Sequence, residues 1–550
     1  MTGESMITAA AMGAAARFDP QIRVPLRPRM RRGLAIDYEA DQVVVTGGPK
    51  RQLLRGRSAT ELLPGLLALL DGVRGHAELA GELGIPEESV FQALSLLWTC
   101  GVIEEGPPEG PAPQVSPDLA DFLSRLGDST GANPAWEQAA ARLAAARVEV
   151  FGTGRAAAAL AEELTPALRV SLAAGTVPDA ATTLAVWVDD GGEGPARDCW
   201  ERGLPLLRLR VHGRTAVLGP LVDPRVTACM TCRVAEEEPD GRHAANGDAE
   251  LAAGLLARDL FAYVSRAVTG PLPMRWRSVD LETLAQRDLS AATRPGCPDC
   301  SAQPREHGTP LARAPLAARY EAAIAFPPKE HADLKAHQMH YKPSNMALQR
   351  IARTWPSARP VDLPPPDFEL LARPASAKLD AERLSLLLAV TAGVKADSKE
   401  RLFRWTASGG NIGSVVAYVA VRDVPGVEPG LYGYVAPDHR LAWLSATTLP
   451  AENMPAGQVP VGQVPAGDSP ASLVLTGDFS KVARKYAAFA LRIVLLDSGC
   501  AQAAGRLTAR ALGVGFRLRG RWDDTAVAAL LGIDPDVQPI TAVADLGESR

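Results

Sequence analysis

Val148-Glu149-Val150-Phe151-Gly152-Thr153-Gly154 is a short apolar run that ends in a glycine-flanked turn, and an Ala- and Leu-rich stretch follows it to Leu168. A strand feeding a tight turn and then a helix is the opening of a β-α unit. Further apolar runs lie at 184–188, 206–211 and 215–218. Strands alternating with helices predict an α/β domain around a parallel sheet. The turn is a partial nucleotide fingerprint: Ala157 takes the place of the third glycine, and Arg155 follows directly. A tight turn that binds nothing is the plainer reading, and there is no Walker lysine motif.

The same domain runs through Val217-Leu218-Gly219-Pro220-Leu221-Val222-Asp223-Pro224-Arg225-Val226-Thr227-Ala228 into Cys229-Met230-Thr231-Cys232, and a second pair follows at Cys297-Pro298-Asp299-Cys300. Of the seven cysteines, Cys100, Cys199 and Cys500 stand outside these pairs. Two C-x-x-C turns can bring four thiolates to the corners of a tetrahedron, which suits zinc. A closed set of four sulfurs leaves no open position, so such a zinc is structural. A redox dithiol, or two unrelated pairs, are the alternatives.

Upstream, residues 1–23 read as a flexible tail and 23–32 as a basic segment broken by Pro25 and Pro28. Strands are predicted at 34–38, 42–46 and 51–55, with a turn at Gly47-Gly48-Pro49. Ser58 and Glu61 form a capping-box pattern that opens a helix running to Leu70. Helices at 76–83 and 86–99 follow, then Gly101 and a wing strand at 102–104. Residues 24–106 therefore predict a winged helix. Its recognition helix carries no Lys or Arg, which argues against reading DNA. An open edge of its sheet can instead accept an extended peptide.

A Pro/Gly-rich linker at 106–117 separates this module from the α/β domain at 118–302, and 303–366 is an irregular, proline-rich connection. The grouping of His331, His337 and His340 there reads as chance before it reads as a metal site. A last domain at 367–550 shows a helix at 380–392, a Gly-rich segment at 408–413, a strand at 415–421, a hairpin near 430–434 and a long helix at 487–512. The repeats at 455–467 read as a mobile loop. In Arg404-Trp405-Thr406-Ala407-Ser408-Gly409-Gly410-Asn411, a hydroxyl, backbone N–H groups and a guanidinium can hold a phosphate or a flavin edge, or make an ordinary turn. Lys485-Tyr486 can hold and donate a proton if burial shifts both groups; otherwise it is a surface pair.

The chain has 550 residues, 47% of them apolar, and a net charge of −5. This length predicts about three domains, and the charge balance argues against a nucleic-acid-coating protein. No uninterrupted apolar run of about 18 residues and no signal-peptide pattern occurs, so no membrane association and a cytoplasmic location are expected.

Taken together, residues 367–550 resemble the azoline dehydrogenases of thiazole/oxazole-modified peptide pathways, of the FMN nitroreductase-like superfamily. The motifs that carry this are Arg404–Gly410, Val424-Pro425-Gly426-Val427-Glu428-Pro429-Gly430-Leu431-Tyr432-Gly433-Tyr434, Lys485-Tyr486, Leu495-Leu496-Asp497-Ser498-Gly499, and Ala511-Leu512-Gly513-Val514-Gly515 followed by Asp523-Asp524. Residues 146–302 are similar to degenerate ThiF-like proteins, and 24–106 to the winged helix that recognises leader peptides. The resemblance implies a multidomain α/β and α+β chain with FMN and a structural zinc on Cys229, Cys232, Cys297 and Cys300. It implies Lys485 and Tyr486 as the catalytic pair, with Arg373, Ser376, Arg404, Ser408, Gly409 and Gly410 around the flavin. It further implies oxidation of azolines in a precursor peptide held by its leader on the winged-helix sheet edge, a homodimer, and a cyclodehydratase partner. The family's Arg-Arg-Ser-x-Arg motif is represented only by Arg373-Pro374-Ala375-Ser376-Ala377-Lys378. A flavin-free, leader-binding scaffold is therefore the alternative.

Overall fold

A computed structural model describes residues 7–110, 113–235, 246–302, 310–331, 347–373, 378–397, 402–446 and 469–547. The chain forms two compact units, 6–338 and 339–550.

The first unit opens with a correction. The stretch expected to be a flexible tail forms a helix, Ala9–Ala16, whose N-terminus is capped by the Thr8 hydroxyl. It carries no amphipathic signal, and it is held by packing: Met12 is buried, and Gly13 lies so close to Gln92 that a Cβ there would clash. Next come β1 (Pro28–Met30), β2 (Ala35–Tyr38), β3 (Gln42–Thr46) and β4 (Gln52–Arg55). The antiparallel sheet β2-β3-β4 has β3 in the middle, where Val43, Val44 and Val45 are buried. The expected helix to Leu70 is split into Arg57–Glu61 and Leu63–Leu69. Pro64 has no N–H to continue the ladder. The expected capping box does not form, because Gly56 is the N-cap and Glu61 pairs with Arg57. Helices His76–Leu83 and Glu87–Thr99 match expectation.

The wing strand β5 (Ile103–Glu105) pairs with β1, so part of the basic segment is a strand. A buried charge cluster explains that segment. Arg29 bonds Glu137 at 2.8 Å and Glu104 at 3.2 Å. Arg31 donates to the Ser124 carbonyl at 2.6 Å, and the Ser124 hydroxyl donates to Glu104 at 2.9 Å. Glu104 is fully buried, and that burial holds its carboxyl above the usual range. The cluster ties the winged-helix strands to helices Pro117–Leu126 and Trp136–Ala145.

The α/β portion contains β6 (Arg147–Phe151), β7 (Arg169–Leu172), β8 (Leu184–Asp189), β9 (Leu206–His212), β10 (Thr215–Val222), β11 (Trp276–Asp280) and β12 (Gln286–Leu289). Their order is β12-β11-β10-β9-β8-β6-β7. The expected parallel sheet is mixed: β7, β6, β8 and β9 run parallel, whereas β9 through β12 pair antiparallel. The core lies between this sheet and helices Arg155–Leu164 and Asn246–Ser265, with Leu160, Leu256 and Leu260 fully buried.

The second unit extends upstream of the expected start at Asp367. Its first strand, β13 (Arg359–Asp362), lies in the stretch expected to be irregular and pairs with β18 (Arg440–Ser445). The others are β14 (Val394–Asp397), β15 (Leu402–Arg404), β16 (Val415–Val421), β17 (Gly430–Val435), β19 (Ala471–Gly477), β20 (Gly515–Leu518) and β21 (Ile540–Gly547). β14 and β15 form a hairpin. The rest make an antiparallel sheet ordered β13-β18-β17-β16-β19-β21-β20. Helices Ala381–Ala392 and Ala490–Leu512 cover one face, burying Leu387, Ala501 and Ala509. Helix Asp524–Leu531 packs through Val527 and Leu531 with Tyr418 and Val543. One helical segment, Phe479–Leu512, is long and apolar enough to cross a membrane by length and composition. It is not an uninterrupted apolar run, since Arg484, Lys485, Arg492, Asp497, Arg506 and Arg510 break it. In this unit Asp497 and Ser498 on that segment are buried in hydrogen bonds.

Candidate functional site

The four paired cysteines converge. Cys229 caps the short helix Met230–Arg233, which carries Cys232, and Cys297 and Cys300 come from the turn after β12. The sulfurs of Cys229 and Cys297 are 3.6 Å apart, those of Cys232 and Cys300 are 3.7 Å apart, and all four lie within 4.8 Å of one another. A tetrahedral zinc with Zn–S of about 2.3 Å sets S···S at about 3.8 Å. A disulfide requires about 2.05 Å. The spacing thus fits a metal tetrad and not two disulfides. The Arg294 backbone N–H points at the Cys232 sulfur at 3.4 Å, as befits a thiolate acceptor. Burial pushes the Cys232 thiol up, which a bound cation would reverse.

The second cluster lies in the C-terminal unit around residues 408–414. Asp497, buried in the middle of the long helix Ala490–Leu512, organises that loop. Its carboxylate accepts from the Ser408 hydroxyl at 2.8 Å, the Gly409 N–H at 2.8 Å and the Ser414 hydroxyl at 2.7 Å. Two cations hold the loop's carbonyls. Arg404 donates to the carbonyls of Gln349 at 2.7 Å, Ile412 at 3.1 Å and Asn411 at 3.4 Å. Lys481, 5% exposed, donates to Gly413 at 2.6 Å and Ile351 at 2.9 Å. Burial pulls its ammonium down to about 8.

Lys485 and Tyr486 end the helix Phe479–Tyr486. Gly410 adopts φ +59°, and a Cβ there would strike the Lys485 Nζ and come within 2.9 Å of the Tyr486 hydroxyl. The two side chains therefore converge on bare backbone at Gly410. The Lys485 Nζ also lies 5.1 Å from the Tyr486 ring centre. Burial lowers the Lys485 ammonium. Burial and then the Asp497 charge raise the Tyr486 phenol. Such a pair offers a more available amine base beside a phenol that keeps its proton.

Of the residues singled out for a flavin, Ser408, Gly409 and Gly410 come together with Lys485 and Tyr486. Arg404 lies beneath the same loop with its donors turned to carbonyls. Arg373 is exposed and pairs with Asp367 at 3.4 Å. Ser376, the repeats at 455–467, His337 and His340 lie outside the described residues. His331 stacks on Tyr263 with ring centres 4.9 Å apart. Gly152 and Gly154 take positive φ in a tight turn, and the Thr153 hydroxyl bonds Asp190 at 3.1 Å. The bare glycines fit the edge of a planar cofactor; the cations placed here are committed to backbone or to Asp367. Sequence reasoning assigned no role to Asp497 or Lys481. A carboxylate in mid-helix of an apolar segment was the available signal for Asp497; for Lys481 there was none.

Residues 375–547 match the model of the nitroreductase family, so the C-terminal unit carries a nitroreductase family domain. No curated protein matches the chain. Among solved structures, it is similar to a heterocyclase in complex with substrate and cofactor, at 20% identity and TM-score 0.38, covering 50% of this chain and 39% of that one. It is also similar to Escherichia coli MccB at 16% identity and TM-score 0.40, covering 51% and 99%. The heterocyclase TruD aligns at 16% identity and TM-score 0.39, covering 78% of this chain and 65% of TruD.

Proposed function

We propose that this chain is an FMN-dependent dehydrogenase that oxidises azoline rings to azoles in a ribosomal peptide held through its leader. The observation that carries this is the meeting of the Lys485 amine and the Tyr486 hydroxyl over Gly410, inside a nitroreductase family domain. Bound FMN would supply the two-electron sink. The backbone of Ser408, Gly409 and Gly410 would border it, and the resemblance adds Arg373 and Ser376 to the residues around the flavin. Aromatising an azoline removes a hydride equivalent and a proton. Lys485 Nζ takes the proton from the ring carbon next to the peptide carbonyl, and its lowered pKa raises the share of free amine. The Tyr486 hydroxyl, held neutral, donates a hydrogen bond to the heteroatom side of the substrate. Asp497 keeps the loop in register.

A homodimer is supported by Leu495, Leu496 and Leu507, which stand 51%, 59% and 67% exposed on the long helix. The winged-helix sheet suits the leader because β2 is an edge strand, with Tyr38 56% exposed. Zinc on the four cysteines would fix the α/β portion, and the whole is assigned to the cytoplasm. The cyclodehydratase remains the proposed partner. The commitment of Arg404 to carbonyls favours a second reading, a flavin-free peptide-binding scaffold.

The visible spectrum of the purified chain, with and without added FMN, separates the two. A flavin band bleached by dithionite is expected, with azoline oxidation lost in Lys485→Ala and strongly reduced in Tyr486→Phe. The rate should rise with pH at a midpoint below the ordinary lysine value of 10.5 and fall only above the ordinary tyrosine value of 10.0. A chain that stays colourless with FMN would leave the scaffold reading.

A further inference from the structure

In the N-terminal unit, β9 to β12 floor a cleft of about 660 Å³, a size that holds small ligands or short peptide segments. Its walls include Arg233 and Arg294 beside the cysteine turns, Arg287 on β12 and Arg319 on helix Leu316–Ile324. The lining includes one acid, Asp288, which faces Arg275 at 3.9 Å. Among the described residues, four guanidiniums thus line the cleft against one carboxylate.

Its walls also carry N–H donors without acceptors. Arg233 Nε, Arg294 Nε and Trp276 Nε1 are each buried with no hydrogen-bond partner among the described residues. Arg233 is 4% exposed and Trp276 2% exposed. The Arg233 guanidinium lies 4.6 Å from the centre of the Trp276 ring, and its Nη2 donates to the Pro273 and Met274 carbonyls, at 3.2 and 3.3 Å. Buried donors are normally satisfied, so several orphans around one cleft mark a place that wants an acceptor. Cationic donors favour a carboxylate or phosphate oxygen.

The floor decides between a free anion and a chain. Val217, Ser278 and Arg287 stand in one cross-strand row, and Trp276 pairs with Leu289 on the same face. The floor therefore sets the cation Arg287 beside apolar Val217, Trp276 and Leu289. β12 is also the edge of its sheet, pairing only with β11 among the described residues. An extended chain can run along such an edge, with alternate side chains turned into the cleft.

We infer that this cleft binds the carboxylates of an extended acidic peptide segment alongside β12. The inference rests on the peptide-processing reading for the origin of that segment, while binding itself is measurable without any oxidation. The test is fluorescence anisotropy of the full-length chain with a labelled heptapeptide of alternating Glu and Leu, beside its Gln-for-Glu counterpart. Expected are at least tenfold tighter binding of the Glu peptide and at least a tenfold loss in Arg287→Glu, which is exposed and leaves the fold intact. Arg233→Met should lose as much, and Arg51→Glu beside the winged-helix sheet should change little. Equal binding of the two peptides would overturn the inference. So would loss in Arg51→Glu but not in Arg287→Glu, which would place the peptide on the winged helix. Inorganic phosphate competing as well as the peptide would make this a small-anion site and overturn it too. Loss of azoline oxidation with this binding intact would sink the proposed reaction and leave the cleft standing.

Discussion

Lys481→Met tests how deeply the loop at residues 408–414 is supported. Lys481 is an ammonium held by two carbonyls and shielded from water, with its pKa drawn from 10.5 to about 8. Between those values the unfolded chain binds the proton and the folded chain does not. Stability therefore rises with pH through this window, by about 1.4 kcal/mol per unit. Over the full window the group contributes about 3 kcal/mol, present above pH 10.5 and lost as the pH falls through 8. Methionine has no titrating group, so the variant lacks this slope. Other ionisations are common to both proteins and cancel in the difference. Urea unfolding of both proteins at a series of pH values from 7.5 to 10.5, read by tryptophan fluorescence, gives that difference directly. The wild type should gain about 3 kcal/mol on the variant across the series. At neutral pH Met removes the desolvated charge but strands two carbonyls, so there the two effects oppose one another. A difference that stays flat with pH would refute the lowered pKa of Lys481 and the burial cost behind it.

Asp497→Asn should destabilise the C-terminal unit by about 1–3 kcal/mol in chemical unfolding, because one amide oxygen cannot serve the three donors of the carboxylate. Gly410→Ala should cost about 1–2 kcal/mol from the left-handed backbone alone. Under the proposed function it should also lower azoline turnover more than it lowers stability, since the new methyl meets Lys485 and Tyr486. Cys297→Ser should reduce bound zinc, measured by plasma mass spectrometry, from about one per chain to a small fraction. Glu104→Ala should lower the thermal midpoint of the N-terminal unit, at a cost of about 3–5 kcal/mol for the buried charges left unpaired.

Much of the fold was legible where apolar residues alternate or run together. β3 declares itself as Val43-Val44-Val45 between polar ends, and β6, β8 and β9 by their apolar runs. β11 and β12 do not, because their residues are largely polar. Arg277 bonds Gln286 at 2.7 Å across the pair and Asp259 on a core helix, contacts that no local apolar pattern announces. The N-terminal helix was missed because Ala and Gly give no periodic face; Met12 acquires meaning only once helix Glu87–Thr99 is beside it. The same limit applies to the site. Paired cysteines announce themselves by spacing, and the glycine loop and Lys485-Tyr486 by motif. A lysine's burial is a property of what surrounds it, so Lys481 was silent.

The charge cluster of Arg29, Arg31, Glu104 and Glu137 has a bearing on how a long substrate is served. It fastens the winged-helix strands to helices Pro117–Leu126 and Trp136–Ala145, so the two sides share one footing. Under the proposed function a captured leader would then be gripped by the N-terminal unit as one piece, and loosening the cluster would loosen that grip.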